Sequence, residues 1–142
     1  MDPNAASMLR AALALTLLSL IMLIFMYATR LPAMRKAKIA PQMALHPRTV
    51  LDKLPSEVRQ VADNFNHLFE APTMFFAAVF SIVLLGVADA VHARLAWAYV
   101  GARVAHSAVQ STVNVVALRF LLYVTSWAFL GAMIVRALIQ TS

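Results

Sequence analysis

Residues 94–139 form a predominantly apolar stretch of 46 positions, more than twice the roughly 20 residues an α-helix needs to cross about 30 Å of hydrocarbon. Such a stretch must fold back on itself as two helices. Residues 9–29 and 71–88 are two further apolar segments. A bilayer cannot hydrogen-bond to exposed peptide groups, so each of these segments must satisfy its backbone internally as a helix. The expectation is an all-α integral membrane four-helix bundle forming one domain over residues 1–142. Composition agrees: 62% hydrophobic and 13% charged residues with a mean hydropathy of +0.76 belong to a polytopic membrane protein and not to a soluble domain.

Punctuation places the spans at about 9–29, 56–88, 92–116 and 118–140. Only Arg10 precedes the first apolar core and the basic cluster follows it, which is the reverse of a secretory leader. Residues 30–55 turn polar. Arg30, Arg35, Lys36, Lys38, Arg48, Lys53 and the neighbouring Arg59 hold more than half of the twelve Lys and Arg of the chain. The positive-inside bias makes this loop cytoplasmic and puts both termini on the opposite side. Pro32, Pro41, Pro47 and Pro55 interrupt helix there. The net charge of +6 is concentrated in this loop, so anionic headgroups are the fitting partner and nucleic acid is not. Ser56 is a suitable N-cap for the second helix, with Glu57 favourable in its first turn. Pro72 is expected to bend that helix just after Glu70. No Gly or Pro marks the turn between the third and fourth helices, which is placed near residues 114–119.

Two polar stripes stand out. Arg59, Asp63, Asn66 and Glu70 lie at i, i+4, i+7 and i+11 and so share one helical face. Arg103, Gln110 and Asn114 repeat that spacing on the third helix, with Tyr99, Ser107 and His106 close by. Ionisable groups on membrane helices are costly unless they face protein or a site. Counting helical rise from the turn between the two helices puts Glu70 level with Gln110 and Asn66 level with Asn114, and an ion pair between Glu70 and Arg103 is expected. Helix-to-helix hydrogen bonding is the favoured account of Asn114, Ser107 and Ser111, structural pairing accounts for Glu70 and Arg103 as well as ligand contact does, and His106 suits an interior hydrogen-bonded role. No metal site is expected, because His67 with Asp63 and Glu70 lacks a second His. The chain has no cysteine, so any thiol chemistry must use a thiol that the ligand brings.

The run Val100-Gly101-Ala102-Arg103-Val104-Ala105-His106-Ser107, with Arg119 following sixteen residues after Arg103, resembles the third helix of the microsomal prostaglandin E synthase branch of the MAPEG family, the membrane-associated proteins of eicosanoid and glutathione metabolism. The segment Asn66-His67-Leu68-Phe69-Glu70-Ala71-Pro72 is similar to the family's second-helix motif. The resemblance covers nearly the whole chain. It implies a homotrimer that binds glutathione, as co-substrate, between subunits near the cytoplasmic face and uses it on lipophilic small molecules. Carried over by position, it implies Arg119 beside the thiol as the catalytic arginine. Arg30, Arg59, Asn66, His67, Glu70, Arg103, His106 and Gln110 are then the candidate glutathione-binding residues.

The chemistry is consistent with that set. Glutathione carries two carboxylates, an ammonium and a thiol, which call for guanidinium donors, an acidic acceptor and a group that stabilises thiolate. The chain departs from the family pattern at Asp63, where many members have an arginine, at His67, where they have asparagine, and at Gln110, where they have tyrosine. A MAPEG-like protein that binds another amphipathic ligand without glutathione chemistry is therefore the second reading. A small multidrug-type transporter is a third, but it needs an acidic residue in the first helix, which has none.

Overall fold

A computed structural model describes residues 1–40, 42 and 53–142, and among them all regular structure is helical. Five helices follow in order: α1 Pro3–Lys36, α2 Ser56–His67, α3 Ala71–Leu84, α4 Ala90–Ser111 and α5 Val116–Thr141. α2 and α3 are two pieces of one rod, so the chain makes four antiparallel passes. Three rods, Pro3–Lys36, Ser56–Leu84 and Val116–Thr141, are long and apolar enough to cross a membrane. Pro41, Pro47 and Arg48, which the sequence reading assigns to the basic loop, lie outside the described residues.

α1 begins where Asp2 caps it, its carboxylate accepting from the Ala5 N–H at 2.8 Å, with Pro3 at the first turn. It runs through Pro32 to Lys36, seven residues beyond the expected end at residue 29. One proline removes one backbone hydrogen bond. Here strong helix formers surround it, and Arg35 and Lys36 complement the helix dipole in the last turn. The basic segment therefore starts as helix and not as loop.

The second rod is broken rather than bent. Leu68, Phe69 and Glu70 separate α2 from α3, and Pro72 stands in the first turn of α3, where its missing N–H costs nothing. α3 stops four residues short of the expected end at residue 88. Gly86 adopts φ +72° there, with Val87 N–H bonded to Ile82 C=O at 3.3 Å and Gly86 N–H to Val83 C=O at 3.1 Å, which is a Schellman ending. Asp89 then caps α4 through the N–H groups of Val91 and His92, both at 2.9 Å. At the other end of α4, Asn114 takes φ +48° and bonds back to Val109 C=O at 2.8 Å. Asn is the residue after Gly that most readily adopts this left-handed conformation, so the turn has a marker after all, and α4 ends at Ser111 rather than near 116.

The main core gathers Met8 and Leu15 of α1, Phe75, Val79 and Ile82 of α3, Tyr99 of α4, and Leu130 and Met133 of α5. Small residues (Ala11, Ala12, Ala93, Ala96) let the helices approach closely. Phe75 and Tyr99 stack with ring centroids 4.3 Å apart. A second cluster joins Met22 and Met26 of α1 to Val61 and Leu68. The large exposed side chains are apolar along α1 (Leu13, Leu17, Ile21, Ile24) and α5 (Phe120, Leu121, Leu138), as lipid-facing surfaces require. α4, the least apolar of the long helices, is the one whose polar residues are inside: His92, Arg103, His106, Ser107, Gln110 and Ser111 are all buried.

Candidate functional site

The polar residues converge where α2 ends and α4 turns into α5. The break after His67 leaves that residue's carbonyl a long 3.4 Å bond from the Glu70 N–H and no close helical partner. Arg103, fully buried on α4, supplies one: its guanidinium donates to the His67 C=O at 3.0 Å. A cation at a helix C-terminus also complements the helix dipole. The Nε and the other terminal nitrogen of Arg103 have no protein partner among the described residues.

The anticipated Glu70–Arg103 ion pair is not formed. Glu70 instead pairs with His67 three residues earlier, Nδ1 to Oε2 at 3.0 Å, and its side chain is 64% exposed. The cause is the break, which turns Glu70 outward while Arg103 is taken by a peptide carbonyl. Arg59, Asp63 and Asn66 are exposed as well, so the charged stripe of α2 faces away from α4. Apolar patterning decides the orientation: Val61 and Leu68 are buried, and the polar residue they carry inward is Asn64, which donates to Ser111 Oγ at 3.2 Å. Asn64 escapes the sequence reading because it stands next to the more conspicuous charged positions. Its spacing of three and four from Val61 and Leu68 is the signal for it.

On α4, His106 uses both ring nitrogens within the protein. Nδ1 lies 2.9 Å from the Arg119 carbonyl and Nε2 lies 2.9 Å from the Gln110 side-chain oxygen. The Gln110 amide can present either its oxygen or its NH2 by a half-turn, so a neutral imidazole can donate on one side and accept on the other. Arg119, in the first turn of α5, donates to Asn114 Oδ1 at 2.7 Å, which anchors the guanidinium to the turn beneath it.

These groups border one cavity of about 190 Å³, lined by His67, His106, Val116, Arg119, Phe120 and Tyr123. Tyr123 is a residue the sequence reading omits, although it lies four positions after Arg119 and hence on the same face of α5. Its ring sits 6.1 Å from that of His106, and the His67 ring sits 6.5 Å from His106 on the other side. Of the candidate residues, the structure brings His67, His106 and Arg119 to the cavity, with Gln110 and Glu70 each one hydrogen bond away. Arg30, Arg59 and Asn66 do not line it. Arginine and histidine outnumber carboxylates around it, so it suits an anionic or ionisable ligand. Among the described residues no cluster of His, Asp and Glu could hold a metal ion.

The opposite end of the bundle holds a separate polar knot. Asp89 accepts from Arg136 Nε at 3.0 Å, from a terminal nitrogen of the same guanidinium, and from Gln140 at 3.1 Å. The Arg136 guanidinium holds the Asp89 carboxyl well below the usual carboxylate range, assisted by the His92 N–H and Gln140 and opposed by partial burial. This knot ties the α3–α4 turn to the last turns of α5.

Among known proteins, the family model of the MAPEG family matches residues 8–139. No curated protein and no solved structure matches the chain.

Proposed function

The chain belongs to the MAPEG family and is an integral membrane protein, and from that premise we propose that it is a glutathione-dependent transferase or peroxidase acting on lipophilic electrophiles. One observation carries this reading: Arg119, His67 and His106 border a single cavity whose rim, Val116 and Phe120, is apolar and exposed. Such a rim lets a lipophilic substrate pass sideways from the bilayer to the place where a thiol would react.

Arg119 is the group we assign to the thiolate. A free thiol with a pKa near 8.5 is only a few per cent ionised at neutral pH, and lowering it by two units takes about 2.7 kcal/mol of differential stabilisation. One anchored guanidinium in a partly desolvated site supplies an effect of that order. The unpartnered nitrogens of Arg103 are buried behind the His67 carbonyl and off the cavity lining, and they suit a ligand carboxylate, for which a planar guanidinium is the best-matched donor, once the break after His67 opens. Among the described residues the second carboxylate oxygen of Glu70 has no protein partner, and it suits an ammonium. The motif at residues 100–107 supports placing the chain near the microsomal prostaglandin E synthase branch. The exposed apolar faces of α1 and α5 support a homotrimer in contact with lipid, and the basic residues at the end of α1 support a cytoplasmic first loop.

Calorimetry on the detergent-solubilised protein tests the proposal, with Arg119→Ala and Glu70→Gln as comparisons. Saturable binding at millimolar glutathione is expected, with thiolate absorbance near 240 nm lost in Arg119→Ala. Absence of binding by the wild type refutes the enzyme reading. It would favour a MAPEG-like protein for another amphipathic ligand, a reading to which the positions of Arg30, Arg59 and Asn66 away from the cavity lend weight.

A further inference from the structure

Two histidines border the cavity, and their bonding separates them. Both ring nitrogens of His106 are engaged by the protein, with the Arg119 carbonyl and with Gln110. His67 is different. Only its Nδ1 is engaged, by Glu70 Oε2 at 3.0 Å, and among the described residues Nε2 has no protein partner. An ionised carboxylate can only accept, so Nδ1 carries the proton and Nε2 holds the lone pair. The backbone under this imidazole is fixed as well, because Arg103 grips the His67 carbonyl at 3.0 Å.

We propose that His67, oriented by Glu70, is the proton acceptor that ionises the thiol, a role resting on the glutathione reading above. The two functions divide between helices: Arg119 on α5 stabilises the sulfur anion, and His67 at the end of α2 takes the proton. The charged and titratable groups facing His67 are Glu70 beside it, Arg103 and His106 from α4, and Arg119 and Tyr123 from α5.

The step balances for addition to an activated carbon–carbon double bond. The S–H bond breaks and its proton moves to Nε2. The thiolate sulfur bonds to the β-carbon, and the π electron pair moves toward the carbonyl as an enolate. The imidazolium then returns the proton to the α-carbon. Nothing is oxidised or reduced, and the histidine ends as it began. An electrophilic alkene conjugated to a carbonyl is accordingly a suitable probe of this pair, since it needs a proton taken from sulfur and one delivered to carbon.

The test uses the purified full chain with glutathione and benzylideneacetone, following kcat and KM for glutathione against pH in the wild type, His67→Gln and Glu70→Gln. His67→Gln is expected to lower kcat about 10²-fold near neutrality, the low end of general-base effects, with KM for glutathione nearly unchanged. The deficit narrows as pH rises past the pKa of the bound thiol, which Arg119 holds below the free value of about 8.5, because solvent then removes the proton. Added imidazole restores part of the rate in His67→Ala. Glu70→Gln is expected to lose about tenfold, since the tautomer is no longer held. Wild-type kcat in His67→Gln at every pH, or a loss confined to KM, overturns the assignment while leaving glutathione binding by calorimetry intact. Failure of the wild type to bind glutathione overturns both readings.

Discussion

Replacing Arg103 by methionine separates stability from function. The guanidinium is fully buried, donates to one carbonyl and leaves its remaining nitrogens unpaired by protein. Its single hydrogen bond, with a charged donor, contributes about 1.5–3 kcal/mol. Holding an arginine at mid-helix depth costs about 2.5–3.5 kcal/mol on insertion scales. The terms nearly cancel, and the unpaired nitrogens tilt the balance further against the arginine. Methionine fills similar volume without any polar group to bury. The ligand-free Arg103→Met protein is therefore expected to melt at the wild-type temperature or a few degrees above it.

Glutathione reverses the order. At tenfold its Kd a ligand stabilises the folded state by about 1.4 kcal/mol, and the wild type is expected to show that rise in a detergent thermal-unfolding assay. Arg103→Met is expected to show little of it. A ligand-free loss above about 3 kcal/mol would mean that the guanidinium already has its partners in the folded protein. An undiminished glutathione shift in the variant would mean that Arg103 does not touch the ligand.

Three further outcomes are expected. Asn114→Gly keeps the left-handed turn and removes the oxygen that anchors Arg119. Its stability to thermal unfolding should hold within about 1 kcal/mol, while thiolate absorbance at 240 nm falls, and unchanged absorbance refutes the anchoring role. Gly86→Ala meets no atom within 4 Å of the added methyl, so its cost is backbone strain alone, about 1–2 kcal/mol at φ +72°. A larger loss by thermal unfolding points to a clash. For Asp89, the folded carboxyl ionises below its ordinary value of 3.8, so the stabilisation is complete above that value and is lost as pH falls through the lower folded value. Melting temperature should decline below about pH 4 in the wild type and more shallowly in Asp89→Asn, and parallel curves argue against the Asp89–Arg136 link.

Class and helix content are legible in the sequence because hydrocarbon leaves the backbone no alternative. Register is not. The stripe from Arg59 to Glu70 has the periodicity of an inward face, yet Val61 and Leu68 bury the neighbouring face and carry Asn64 with them. A polar stripe says which residues share a side, and only packing says which side is in. Pro72 illustrates a related ambiguity, since a proline that kinks one helix and a proline that opens the next look alike until the chain before it is seen to leave helical geometry. Arg119 and His106 fall at the cavity as their positions suggest. Tyr123 and the His67–Glu70 pair depend on tertiary placement, which spacing along one helix does not encode.

The hairpin of α4 and α5 is fastened at both ends by an arginine side chain, besides the bond between His106 and the Arg119 carbonyl. At one end Asn114 in the turn holds Arg119, and at the other Asp89 holds Arg136. Each fastening joins a residue just outside α4 to an arginine of α5, so spreading the two helices breaks a charge-assisted bond at both ends. α2 is short, is separated from α3 by three non-helical residues, and is tied to α4 and the turn beyond it through Gln60, Asn64 and the His67 carbonyl, of which only the last bond, from Arg103, is charge-assisted. The cavity thus lies between a hairpin clamped at both ends and a short helix clamped at one. The Arg103 clamp and the His67 imidazole share that one end.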